Sequence, residues 1–309
     1  MKDFKKFTIE LAVILAVFLA ADYIIGSVLD KTCAFRDFQS SFRSIPNADY
    51  DMIIMGGSRA QSSYDISILQ DSLGISIYDY GLSGQNLYTD YGILNYYIKE
   101  AKVKPKVILW DIWATSFLKS GNYDIQPIKR LNSAYFQNDT IRSLINLQGK
   151  KEEILLNALH TYKHNSNIPY YLYYTMIDTK DPLNGYVPLN NIWKDPIETM
   201  RSDRGDYDEQ KIMYFKRFVN CCKEQGVYLV FCISPSYYLI ENTNPDGCDW
   251  AKFACDYVKQ NGFTAINYEQ DSMFLEHPEW FYNPLHINEK GADIFTRIVL
   301  PYLRDFNWY

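Results

Sequence analysis

Ser58 is the residue of this chain whose setting first suggests chemistry. It ends the tripeptide Gly56-Gly57-Ser58, directly after the apolar run Asp51-Met-Ile-Ile-Met55. A hydroxyl on a tight turn after a strand stands at the strand's carboxyl end, and the glycines let backbone approach a ligand without Cβ collisions. By itself the tripeptide reads as a structural turn. Three of the four histidines, His160, His164 and His277, show no partner pattern. His160 and His164 fall on one helical face, yet two ligands make a poor metal site, so all three read as surface residues. The six cysteines, Cys33, Cys221, Cys222, Cys232, Cys248 and Cys255, contain no Cys-x-x-Cys pair. Cys222, on the apolar face of a helix, and Cys232, within a strand, read as buried thiols. Neither a Walker motif nor Gly-x-Gly-x-x-Gly occurs, so no cofactor and no metal are expected.

A parallel sheet must position such a serine. From residue 50 onward, short apolar runs alternate with helical periodicity, the pattern of a parallel sheet covered on both faces. The runs 51–55, 75–80, 106–111, 227–233 and 265–268 read as five strands. Asp65 offers an N-cap to a helix with Ile66, Leu69 and Leu73 on one face and Gly74 as its stop. Leu87, Tyr91, Leu94 and Ile98 mark a second helix, Ile212, Phe215, Val219 and Cys222 a third, and Trp250, Phe253, Tyr257 and Val258 a fourth. A last helix begins after Asn288 and kinks or stops at Pro301. The expected fold is α/β and flavodoxin-like, three layers around a five-stranded parallel sheet of order 2-1-3-4-5. Ligands bind such sheets beyond the carboxyl ends of strands 1 and 3, where Ser58 would sit. The alternation fails over 113–206, which holds Tyr170-Tyr171-Leu172-Tyr173-Tyr174 and the Gly/Pro-containing 184–189. A structureless loop of that length is improbable, so this reads as a long, mostly helical insertion or cap.

With 309 residues, 47% of them hydrophobic, the chain can bury one substantial core. A net charge of -6 without a Lys/Arg stripe excludes a nucleic-acid partner, which needs a basic surface. Lys2, Lys5 and Lys6 precede an apolar stretch over 9–29 that is interrupted by Glu10 and Asp22. About 20 apolar residues span a bilayer, and lysines ahead of the span favour an N-in orientation. Residues 1–30 are therefore expected to form a transmembrane anchor, with 31–309 as one extracytoplasmic domain. A cleaved signal segment is the alternative, since 11–21 has the length of its apolar core, although Leu19-Ala20-Ala21 is a poor cleavage site.

Three blocks resemble the SGNH (GDSL-like) hydrolase superfamily. Gly56-Gly-Ser58-Arg-Ala60 is similar to its first block, Gly81-Leu-Ser-Gly84 to its second, and Asn283-Pro-Leu-His286-Ile-Asn-Glu-Lys-Gly-Ala292 to its last. With the N-terminal anchor and the long insertion, the chain more closely resembles membrane-anchored SGNH-like proteins of bacterial envelopes, kin to those found near polysaccharide genes. The resemblance implies catalytic Ser58 and His286, Asn283 orienting the imidazole, and an oxyanion hole from the amides of Ser58 and Gly84. Two positions depart from it. The third block usually reads Gly-x-Asn-Asp, with its Asn in the oxyanion hole, whereas here strand 3 runs into Trp110-Asp111-Ile-Trp113-Ala114-Thr115. Gln85, Asn86 and Thr115 are candidate substitutes for a donor whose loss costs about 10²–10³ in turnover. Asn283 replaces the usual Asp, a change that costs about 10⁴ in a serine protease. Asp111 is the candidate alternative acid, against the reading of a strand-end carboxylate facing solvent. The function implied is an extracytoplasmic carbohydrate esterase or O-acyltransferase acting on acyl groups of envelope or exopolysaccharide glycans. The alternative is a catalytically weak or inactive relative that binds glycan or serves in envelope-polysaccharide assembly. Its partners would be a glycan or acylated small molecule, the bacterial membrane through the N-terminal helix, and the envelope-polysaccharide machinery.

Overall fold

The computed structural model describes residues 2–32, 44–119, 126–164, 183–194, 207–237, 250–304, 306 and 308. The tyrosine run 170–174, Cys33 and Cys248 lie outside the described residues. Two compact units divide the chain, one of Met1–Arg43 with Ile128–Lys180 and one of Ser44–Pro127 with Asp181–Tyr309.

In the larger unit the five apolar runs are the five strands β1 (Met52–Gly56), β2 (Ile77–Asp79), β3 (Val107–Asp111), β4 (Tyr228–Ile233) and β5 (Thr264–Asn267). All pair in parallel, in the order β2-β1-β3-β4-β5. Both faces of the sheet are covered, which is why its strands read as unbroken apolar runs instead of alternating ones. Successive side chains still point to opposite faces. Met52, Ile54, Val107, Leu109, Val230 and Cys232 enter a core with Tyr64, Leu69, Leu73, Phe295, Val299 and Leu303. Helices Ser58–Ser63, Ile66–Leu73 and Glu289–Arg304 therefore cover that face. On the other face Trp110 stacks on Phe218 at 3.7 Å and Phe215 at 5.4 Å between ring centres, and donates to Asp90 at 2.9 Å. These contacts bring helices Glu209–Gln225 and Leu87–Glu100 there and complete the third layer.

The helix ends follow local chemistry. Asp65 accepts from the amides of Ser67 and Ile68, Asn86 from that of Thr89, and Asp208 from that of Gln210. Left-handed Gly74 and Gly226 close two of these helices. Pro301 does not stop the last helix, which continues to Arg304. The proline removes one backbone hydrogen bond at a cost of about 3 kcal/mol, and burial of Val299, Leu300 and Leu303 in the core holds the segment helical against it. Ahead of that helix, β6 (Phe281–Asn283) and β7 (His286–Ile287) form an antiparallel hairpin.

The smaller unit contains the N-terminal helix Lys2–Thr32, helices Asp139–Asn146 and Lys150–Ala158, and the 3-10 turn His160–His164. Its first helix is long and apolar enough over Lys2–Asp30 to cross a membrane. His164, expected on the surface, is fully buried and bonded to Asp30 at 3.0 Å. That partner lies in the apolar N-terminal segment, and helical spacing of histidines carries no trace of it. In the larger unit, His277 does sit at the surface, stacked on Trp280 at 3.9 Å and bonded to Glu279. Cys222, Cys232 and Cys255 are buried thiols.

Candidate active site

The end of β1 begins the site. Gly56 has φ of 137°, and a Cβ there would lie 2.0 Å from the carbonyl oxygen of Asp111, so only glycine lets β1 lie flush against the end of β3. The chain then turns through Gly57 into the six-residue helix Ser58–Ser63, with Ser58 on its first turn. The turn after β2 is tied to the same point, because Leu82 N–H donates to the Gly56 carbonyl at 3.0 Å.

His286 reaches Ser58 from the hairpin. Asn283 Oδ1 accepts from the backbone N–H groups of Leu285 at 2.9 Å and His286 at 3.0 Å. Two backbone donors can bond only the amide oxygen, so the orientation of this side chain is settled. The same oxygen lies 2.9 Å from His286 Nδ1, which must then carry the proton. Nε2 is left as an acceptor, and the Ser58 hydroxyl donates to it at 2.7 Å across 228 residues of sequence. The hairpin is held in turn by Asn288, whose Nδ2 donates to the carbonyls of Glu279 at 2.9 Å and Phe281 at 3.3 Å. Its Oδ1 accepts from Gly291 N–H at 3.1 Å and so starts the last helix.

Arg59, the next residue after the serine, is only 5% exposed. Its Nε donates to Ser234 Oγ at 3.0 Å, its Nη2 donates to the Ser234 carbonyl, and its guanidinium lies 5.9 Å from the centre of the Trp113 ring. Asp111 lies at the end of β3, where Tyr64 Oη donates to it at 2.8 Å and Ser234 N–H at 3.3 Å. Burial raises the Asp111 carboxyl above its ordinary range, and the charge of Arg59 opposes that rise. Asp111 is thus neither a solvent-facing strand end nor the partner of His286. It is 1% exposed, and the group on Nδ1 is Asn283. Sequence reasoning gave Arg59 no role. The available signal was that it is the only charge between Asp51 and Asp65.

The same buried arginine acts on the histidine. Burial first, and then the Arg59 charge, pull the His286 imidazole down to about 4. At neutral pH the ring is an uncharged acceptor, the state in which a base takes a serine proton. The candidate oxyanion donors are less complete. Ser58 N–H and Gly84 N–H have no acceptor among the described residues, and Gly84 is left-handed at φ 74°. Of the expected substitutes, Gln85 gives its Nε2 to Asp90 at 2.5 Å, and Asn86 uses its Oδ1 on Thr89 at 3.1 Å. Both hold local structure. The side chain of Thr115 lies outside the described residues. Asp90, which also receives Trp110 Nε1, is pushed by burial up to about 7. Among the described residues, no three His, Cys, Asp or Glu side chains converge as metal ligands.

No protein-family profile and no curated protein sequence matches the chain. Its fold is similar to that of a proposed acylhydrolase from Bacteroides fragilis, at 10% identity and a TM-score of 0.42, over 85% of this chain and 92% of that one. It is likewise similar to an acetylxylan esterase from Geobacillus stearothermophilus, at 10% identity and a TM-score of 0.42, over 85% and 97%. A further acetyl xylan esterase matches at 12% identity and a TM-score of 0.37, over 82% and 97%. These likenesses are distant, and what the site can do is read from its own atoms.

Proposed function

We propose that the chain is an SGNH-type carbohydrate esterase or O-acyltransferase, anchored by its N-terminal helix and working outside the cytoplasm on acyl groups of envelope or exopolysaccharide glycans. One observation carries the reading: Ser58 Oγ donates to His286 Nε2 at 2.7 Å while Asn283 holds Nδ1. Ser58 Oγ attacks the acyl carbon as its proton passes to Nε2, and the amides of Ser58 and Gly84 face the oxyanion. His286 then returns the proton to the departing sugar oxygen, which leaves an acyl-Ser58. Water, or a second sugar hydroxyl deprotonated by the same nitrogen, attacks the acyl-enzyme and frees the serine. The amide at 283 orients the ring and adds no charge to the imidazolium that forms on the way, so turnover is slow.

The test is acetate release from aryl acetates and acetylated oligosaccharides by the detergent-purified full chain, with and without a free sugar acceptor. Ser58→Ala abolishes release, and acetylated acceptor appears if transfer competes with water. Release that persists in Ser58→Ala would overturn the role of Ser58, and no release where a control esterase works would leave a cleft that binds glycan without turning it over.

A further inference from the structure

The helix Lys2–Thr32 carries acids where an apolar segment has least use for them. Asp22, Gly26 and Asp30 recur at four-residue spacing and share one face. That face is occupied. Asp22 accepts from the backbone N–H groups of His160 at 2.5 Å and Thr161 at 3.2 Å, and from the Thr161 hydroxyl. Asp30 accepts from Lys163 Nζ at 2.8 Å and bonds the Nε2 atoms of His160 and His164, each at 3.0 Å. Between the two acids the His160 ring rests on Gly26, where a Cβ would lie 2.0 Å from its Cδ2, and the Tyr23 ring centre is 5.1 Å away. On the opposite side Ile24, Ile25 and Val28 are exposed.

We propose that the N-terminal helix is a retained part of the folded chain, clamped over its last third by the turn His160–His164 along the outer part of the membrane span. Carboxylates near lipid are costly unless paired, and here the groups of one turn pair both. The exposed, mainly apolar surface over 7–28, interrupted by Glu10 near its inner end, rises roughly 32 Å at about 1.5 Å per residue, against about 30 Å of hydrocarbon. Asp22 and Gly26 therefore lie on the protein-facing side of the outer part of the span, and Asp30 just beyond its end. Leader cleavage needs an extended, accessible segment, whereas the residues around Ala21 are helical and run straight into the clamped face. This inference stands apart from the chemistry at Ser58.

Two measurements on full-length protein taken from membranes into micelles test it. Intact mass gives an uncut N-terminus, and the amides of His160 and Thr161 exchange with deuterium at least about tenfold more slowly than an unprotected turn. Asp22→Asn, Gly26→Leu and Asp30→Asn then speed tryptic cleavage after Lys163 by about tenfold or more, with Ser58 reactivity unchanged. A mature chain that begins near residue 22, fast exchange at both amides in the unmodified protein, or cleavage rates within about twofold of it in all three variants would each overturn the proposal. The exchange measurement needs no variant, so a misfolded substitution does not remove the test.

Discussion

Ser58 and Arg59 are neighbours on the first turn of one short helix, yet they belong to two unlike regions. Consecutive residues on a helix do not share a face. Ser58 turns to a half-buried, uncharged arrangement with His286 and Asn283, held by three hydrogen bonds to a single amide oxygen. Arg59 turns under the ends of β3 and β4 into a buried, charged cluster with Asp111, Ser234 and Tyr64. The difference separates display from support: the charged cluster ties three strand ends together, and the neutral pair is shown on top of it. Beyond the backbone that joins them, the field of Arg59 couples the two, adding to burial in opposing the imidazolium that Ser58 chemistry requires.

The sharpest way to break this division is Arg59→Leu. It removes two buried charge-assisted hydrogen bonds to Ser234 and the positive charge near Asp111, so stability should fall by about 3–5 kcal/mol in urea unfolding. A loss below about 1 kcal/mol would remove the supporting role. Asn283→Asp sharpens the other side. Its Oδ1 already accepts two backbone N–H bonds, so a carboxylate fits the same donors without disturbing the fold. The added charge should raise ester hydrolysis by about tenfold or more, at about 1.4 kcal/mol per tenfold. Unchanged activity in the folded variant would mean that the pair is not limited by the imidazolium.

The pH dependence follows from the same coupling. The neutral ring is the active base and His286 titrates at about 4, so kcat/KM should be level from neutrality downward and fall with an acid limb near pH 4. Because the folded value lies below the ordinary 6.5, the stability that neutral His286 contributes is present above pH 6.5 and is lost as pH falls through about 4. In Asn283→Asp the limb should move upward. A wild-type limb near 6.5 would contradict the burial of His286 and, with it, the field of Arg59. The smallest effect is expected for the stability of Ser58→Ala, which removes one hydrogen bond worth about 0.5–1.5 kcal/mol.

The division was only half legible in the sequence. The five strands could be read because buried parallel strands are continuous apolar runs, and the pairing of Ser58 with His286 was implied by the resemblance of residues 56–60 and 283–292 to two SGNH blocks. The destination of Arg59 could not be read. Ser-Arg-Ala-Gln-Ser-Ser has no apolar periodicity, so nothing local announces the short helix that parts residues 58 and 59. Asp111 read as an alternative acid or a solvent-facing strand end because its partner Tyr64 lies 47 residues away and the charge of Arg59 acts on it only in the folded sheet. His164 looked exposed for the same reason, its partner Asp30 lying 134 residues earlier.

The central claim is that Ser58 is a nucleophile activated by His286, and the most direct measurement is covalent labelling of the purified full chain by a fluorophosphonate, followed by mapping of the modified peptide. The account predicts one adduct per chain, on Ser58, lost in Ser58→Ala and strongly slowed in His286→Ala. No adduct under conditions that fully modify a control esterase, or an adduct that persists in Ser58→Ala, would contradict it.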